Sequence, residues 1–172
     1  SASDAGAPAA YSVHEHYELG TAADVYERIM GRTSGDSQVV FLGLPRIERA
    51  NESKTLDTEI GALGQAVHDA GGSTAALGDS DYGYVVQETW QSRPSALVAM
   101  DRSGLVDFGD VSPRLLVGDP SAPYGVTTDT EAMQAALVTA LDDVTADGSS
   151  GLVVVDPGDA ERAQRFATDV AD

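Results

Sequence analysis

Four aspartates stand in two pairs just beyond apolar runs: Asp79 and Asp81 after Leu77-Gly78, and Asp156 and Asp159 after Val155. Carboxylates two or three residues apart on a tight turn can aim their oxygens at one point, as a hard cation such as magnesium, calcium or manganese requires. The same residues suit a quieter role. Asp159 fits the N-cap of a helix that follows it, and Asp79 fits a turn that closes a strand. Capping is the more economical reading, so no metal or cofactor is expected, with a divalent cation on the rim Asp79, Asp81, Asp156 and Asp159 as the alternative. Trp90, in an irregular stretch with Tyr82 and Tyr84, is a candidate lid over such a rim, or an aromatic packed beneath a long loop.

Other chemistry has little to stand on. His14 and His16 flank Glu15 at strand-like spacing and would chelate zinc only if further ligands converged. His68 borders the apolar stripe of a helix and reads as a boundary residue. There is no G-x-S-x-G for a hydrolase nucleophile, no strand followed by G-x-G-x-x-G, and no phosphate-binding P-loop. Gly61 and Gly64 fall inside a helical pattern, where glycine allows close packing. The absence of cysteine excludes disulfides, thiolate metal sites and cysteine nucleophiles.

The chain has 172 residues, enough for one domain with a sizeable core, and carries 28 acidic against 10 basic residues, a net charge of −18. The acidic excess runs through both halves. A field of that sign repels phosphate backbones and anionic lipid, so neither a nucleic-acid partner nor membrane contact is expected, and a protein or small molecule is the partner class left. No apolar run approaches the ~18 residues of a membrane span. The opening Ser1-Ala2, without methionine, suggests a segment of a longer exported or membrane-anchored protein.

The elements that must position these residues are read from periodicity. Residues 1–20 are expected to be a flexible lead-in, and 21–172 a single α/β domain. Ala22, Val25, Tyr26, Ile29 and Met30 share a helical face between a Thr21 cap and a Gly31 stop. Residues 38–44 read as a strand covered on both faces and ended by Pro45, and the charged stretch 46–57 as a loop. Ile60, Leu63, Val67 and Ala70 form one stripe of a helix capped at Thr58 and stopped at Gly71-Gly72; residues 73–78 then have the length of a buried strand. Residues 95–101 and 105–108 read as a hairpin about Arg102-Ser103-Gly104. Thr128-Asp129-Thr130-Glu131 fits a capping box with Thr128 as cap, opening a helix with Met133, Ala136, Leu137, Ala140, Leu141 and Val144 inward. Residues 151–155 are the strongest strand, followed by a last helix with Phe166 inward. Alternating helix and strand predict a three-layer α/β sandwich: a mostly parallel sheet with helices on both faces.

The unit Gly61-Ala-Leu-Gly-Gln-Ala-Val-His-Asp-Ala-Gly-Gly-Ser-Thr-Ala-Ala-Leu-Gly78 resembles the segment of alkaline-phosphatase-like proteins, sulfatases among them, in which a helix ends at Ala-Gly and a strand with Thr-Ala leads to a glycine at the site. Leu152-Val-Val-Val-Asp-Pro-Gly-Asp159 is similar to the later strand that presents metal-binding aspartates in that superfamily. The looser resemblance over residues 93–119 points to exported members without an assigned function. The resemblance implies an alkaline-phosphatase-like three-layer fold in an extracytoplasmic or cell-surface setting. It does not supply the machinery: Asp79-Ser80-Asp81 replaces the expected Lys-x-His, Ala160-Glu161-Arg162 stands where a histidine commonly follows, and Thr55 and Thr58 are nucleophile candidates by position alone.

The expectation is therefore a catalytically silent phosphatase-like domain acting in binding or assembly. The alternatives are a metal-dependent phosphate- or sulfate-ester hydrolase using the four aspartates, and a small-molecule sensor with Trp90 as lid. All three require Leu77 and Val155 to lie on adjacent strands running the same way.

Overall fold

In the computed structural model, residues 10–17, 20–52, 58–81 and 93–171 are described. Trp90, Tyr82, Tyr84 and Thr55, the lid and nucleophile candidates, lie outside them.

Leu77 and Val155 are neighbours on parallel strands. Strand β5 (Ser73–Leu77) sits between β10 (Gly151–Val155) and β7 (Phe108–Asp110), parallel to both, with Leu77 opposite Val155 on one side and Asp110 on the other. The carboxyl ends of all three strands therefore open on one rim. A second, antiparallel sheet joins β1 (Ala10–Ser12), β4 (Val39–Phe41) and β6 (Leu105–Val106). Among the described residues, parallel pairing is thus confined to three strands of a mixed α/β fold. Only Asp107 separates β6 from β7, so one segment leaves the antiparallel sheet and enters the parallel one. Its carboxylate accepts from Thr74 N–H at 2.7 Å and meets His68 Nε2 at 2.8 Å, serving the amino end of β5. Two short ribbons complete the strands: β2 (His16–Tyr17) with β3 (Gly20–Thr21), and β8 (Leu116–Gly118) with β9 (Val126–Thr128).

Helices cover both faces of the parallel sheet, as alternation along β5 demands. Ala75 and Leu77 pack with Met133, Ala140 and Val144 of α5 (Thr130–Val144), whereas Ala76 faces Ala96 and Ala99 of α4 (Pro94–Ala99). Helix α3 (Ala62–Asp69) lies against the end of α4 through Gly64. A Cβ there would stand 2.4 Å from the Ala99 and Met100 carbonyl oxygens, so this glycine is a packing residue. Helix α1 (Ala22–Met30) covers the antiparallel sheet with Val25 and Tyr26, opened by a Thr21–Asp24 capping box and closed by Gly31 at φ 68°. Helices α2 (Leu44–Glu52) and α6 (Asp159–Asp169) complete the set. Among the described residues no helix is long and apolar enough to cross a membrane.

Several sequence expectations are corrected. Ala10–Ser12 is a fully buried strand, so the flexible lead-in expected over residues 1–20 does not hold there. The stretch expected as a loop from residue 46 begins inside α2, and residues 95–99, expected as a strand, belong to α4; β6 pairs with β4 and forms no hairpin with them. Pro45, expected to end a strand, occupies the first turn of α2, as Pro94 does in α4, where a missing N–H costs nothing. Inward residues one turn apart, Leu44 and Ile47 in α2 and Ala96 and Ala99 in α4, supply the burial that holds those turns. The stop at Gly71-Gly72 is present, with Gly72 N–H returning to the Val67 carbonyl at 2.9 Å, but α3 starts at Gly61 without a Thr58 cap and Leu63 is exposed. Asp129, not Thr128, caps α5, accepting from Glu131 N–H and Ala132 N–H. Leu141 and Phe166, both expected inward, are exposed.

Candidate functional site: an acidic rim held by buried arginines

Every strand of the parallel sheet ends beside an aspartate: Asp110 closes β7, Asp79 follows β5 by one glycine, and Asp156 follows β10 directly. The two acidic turns touch, since a Cβ on Gly78 would fall 1.7 Å from the Asp156 carbonyl oxygen. The four aspartates singled out by sequence therefore share a rim. Arg93 claims Asp79 and Asp81, Arg162 claims Asp159, and Asp156 turns back onto Gly158 N–H.

Arg93, at the start of α4 and 3 % exposed, takes the first pair. Its Nη2 donates to Asp81 Oδ2 at 2.9 Å and lies 3.5 Å from Asp79 Oδ2. Its Nη1 donates to Glu15 Oε2 at 2.7 Å and to the Ala10 carbonyl at 2.9 Å, and the guanidinium lies 5.2 Å from the centroid of the Tyr11 ring. Burial works against the Arg93 charge, but Asp79, Asp81 and Glu15 outweigh it and push its pKa up. Glu15 is raised by burial, with Arg93 opposing. Asp79 is fully buried; Asp81 N–H donates to its Oδ1 at 2.7 Å, while Oδ2 makes no hydrogen bond among the described residues. Burial pushes the Asp79 carboxyl up to about 7, against the opposing pull of Arg93.

Arg162, in α6 and 1 % exposed, takes the second turn. Its Nη2 donates to Asp159 Oδ1 at 2.8 Å, Pro157 carbonyl at 3.0 Å and Thr128 Oγ1 at 3.1 Å; its Nη1 donates to the Asp79 carbonyl at 2.6 Å. One side chain thus ties β5, β9 and β10 together at the rim, and by engaging its hydroxyl removes Thr128 from the capping role expected of it. Asp159 also accepts from Thr127 Oγ1 and Thr128 N–H. Partial burial would raise its pKa, but these hydrogen bonds together lower it. Asp156 Oδ1 accepts from Gly158 N–H at 3.0 Å, a local turn. Asp110 repeats the theme at β7, accepting from Ser12 Oγ at 2.9 Å, Ser112 N–H at 2.8 Å and Arg114 Nη2 at 3.0 Å. Among the described residues no three His, Asp or Glu side chains are placed to hold a metal ion.

The histidines stay away from this arrangement or at its margin. His68 sits at the amino end of the parallel sheet, 2.8 Å from Asp107 and 3.8 Å from Asp101, opposite the rim. His14 and His16 are exposed. Beside Asp110 lies a surface cavity of about 440 Å³ between α5 and the β1–β2 connection, with His14 in its lining. Sequence reading missed Arg93, Glu15, Arg162 and Asp110 as rim residues. Arg162 carried a local signal, one helical turn after Asp159. Glu15 and Arg93 are 78 positions apart and carried none.

Asp79 makes stability depend on pH. Between its ordinary 3.8 and about 7 the folded chain holds a proton that the unfolded chain has released, so stability is full below pH 4 and falls as pH rises towards 7. Asp79→Asn is expected to flatten the pH 4–7 profile of urea-unfolding free energies by up to about 1.4 kcal/mol per pH unit. An unchanged profile would place the proton elsewhere.

No protein-family model, curated protein or solved structure matches this chain.

Proposed function

We propose that this chain is a catalytically silent, alkaline-phosphatase-like α/β domain that acts in binding or assembly at the cell surface or elsewhere outside the cytoplasm. The observation that carries the reading is the pair of buried guanidinium groups on the acidic rim. Arg93 and Arg162 already supply the positive charge that these carboxylates would otherwise seek in a metal ion, and a cation placed among them would meet like charge. Both are too deeply buried to reach a phosphate or sulfate ester. The fold comparison draws support from α3, Gly71-Gly72, β5 and Gly78 following one another as the resemblance requires, and from β10 running parallel beside β5 with its Asp156-Pro157-Gly158-Asp159 turn on the same rim. The extracytoplasmic setting rests on the resemblance alone.

The test is thermal and urea unfolding with magnesium, calcium, manganese or zinc, alongside turnover of 4-nitrophenyl phosphate and sulfate. No specific stabilisation and no turnover are expected. Stabilisation by about 2.7 kcal/mol at a hundredfold excess over Kd, with metal-dependent ester cleavage, would establish the hydrolase instead. The sensor reading is favoured by one observation, the cavity beside Asp110.

A further inference from the structure

The cavity beside Asp110 lies where the fold changes partner. Residues 105–110 leave the antiparallel sheet at Val106 and join the parallel sheet at Phe108, and the gap between the two sheets is bridged by Gln38, whose Oε1 accepts from Gly109 N–H at 2.9 Å. Ligands of open α/β sheets settle outside the carboxyl ends of the strands, where Leu77 and Asp110 stand side by side. The volume, about 440 Å³, is within the range of small-molecule sites. Small side chains keep it open: Ala136 of α5 lies in its floor, above the buried Ala140 and Leu77.

The charges in the lining are unequal. Arg114 is matched by Asp110 at 3.0 Å. Asp143, half-buried near the end of α5, has no hydrogen-bond or ion-pair partner for its carboxylate among the described residues. One helical turn away, Thr139 Oγ1 donates its hydrogen to the Ala135 carbonyl and keeps lone pairs that can accept from a ligand. The cavity therefore holds one uncompensated negative charge, one acceptor hydroxyl and an apolar floor, within a chain whose charge of −18 concentrates cations around it.

We propose that this cavity binds a small organic ammonium ion with a short aliphatic body. Asp143 accepts the ammonium N–H, Thr139 Oγ1 accepts a second, and the alkyl chain lies on Ala136, over the buried Ala140 and Leu77. The proposal rests on the binding reading above and names its ligand class; it requires neither turnover nor a metal, so the unfolding and ester assays can fail or succeed independently of it.

Four probes with a four-carbon body separate the possibilities: n-butylammonium, 4-aminobutyrate, butyrate and 1-butanol, each titrated at pH 8 and followed by amide chemical shifts of the full chain. Saturable binding of n-butylammonium is expected, with shifts at Leu77, Thr139 and Asp143, no binding of butyrate, and affinity for 4-aminobutyrate lower by about tenfold. Asp143→Asn is expected to weaken n-butylammonium by about tenfold, whereas the exposed neighbour Asp142→Asn leaves it nearly unchanged. Equal losses in both variants would reduce the effect to the general acidic field and overturn the site. Preference for butyrate or 4-aminobutyrate would overturn the ligand class, and absence of saturable n-butylammonium binding would overturn both.

Discussion

Replacing Arg93 by leucine is expected to cost roughly 3–5 kcal/mol of stability at neutral pH, the range for removing one partner from a buried ionic cluster. The guanidinium is 3 % exposed and serves Glu15, Asp81, Asp79 and the Ala10 carbonyl at once. Without it the carboxylates remain in a place where burial already raises the pKa of Glu15 and Asp79. The penalty should grow with pH, because these acids can escape it only by holding protons. Urea unfolding at pH 4.5 and 7.5 measures this directly, with the larger deficit expected at 7.5. Arg114→Leu is the control: its side chain is 66 % exposed, and loss of its pair with Asp110 should cost no more than about 1 kcal/mol. If Arg93→Leu also costs under about 1 kcal/mol, water reaches the cluster and the proposed substitution of guanidinium for metal loses its basis.

Gly78→Ala is expected to be at least as damaging, costing more than about 4 kcal/mol or preventing folding. Two faults add at this position. Its φ of 118° is one that side-chain-bearing residues rarely adopt, and the new methyl would lie 1.7 Å from the Asp156 carbonyl oxygen. That oxygen belongs to the backbone, so relief means separating β5 from β10 where the acidic turns meet. Gly71→Ala isolates the first fault: it also has a positive φ, 77°, but its Cβ would meet nothing within 4 Å, and a loss of only about 1 kcal/mol is expected. Denaturation midpoints and amide spectral dispersion read both variants. Comparable losses in the two would mean that backbone strain, and not the contact between the turns, holds the rim closed.

What could be read from sequence was what neighbouring residues decide. Thr21 and Gly31 marked both ends of α1, and the apolar runs at 73–77 and 151–155 marked the two strands whose parallel pairing builds the rim. Pro45 was legible only as the end of a strand, because the same residue that ends a strand also opens a helix; only the tertiary burial of Leu44 and Ile47 decides between them. Asp129 displaced Thr128 as the cap of α5 for a similar reason. Both residue types cap well, but Thr128 is held by Arg162 and the Pro157 carbonyl, partners about 30 positions away. Asp110 and Glu15 were not legible as part of the site, whereas Asp79, Asp81, Asp156 and Asp159 were legible as a pattern at strand ends. Their charge state was not, since it depends on Arg93 meeting Glu15 across 78 positions and on Arg162 reaching the carbonyl of Asp79.

The most direct test of the silent rim is a manganese titration of the whole chain followed by the electron paramagnetic resonance signal of the free ion, at pH 7.5 and about 0.15 M salt, where the diffuse acidic field is screened. With Arg93 and Arg162 already occupying the rim, the free-ion signal should rise in step with added manganese, and the Asp79→Asn and Asp159→Asn variants should give the same line. Loss of one equivalent of signal in the parent chain, restored in both variants, would show a metal seated among these carboxylates and contradict the account.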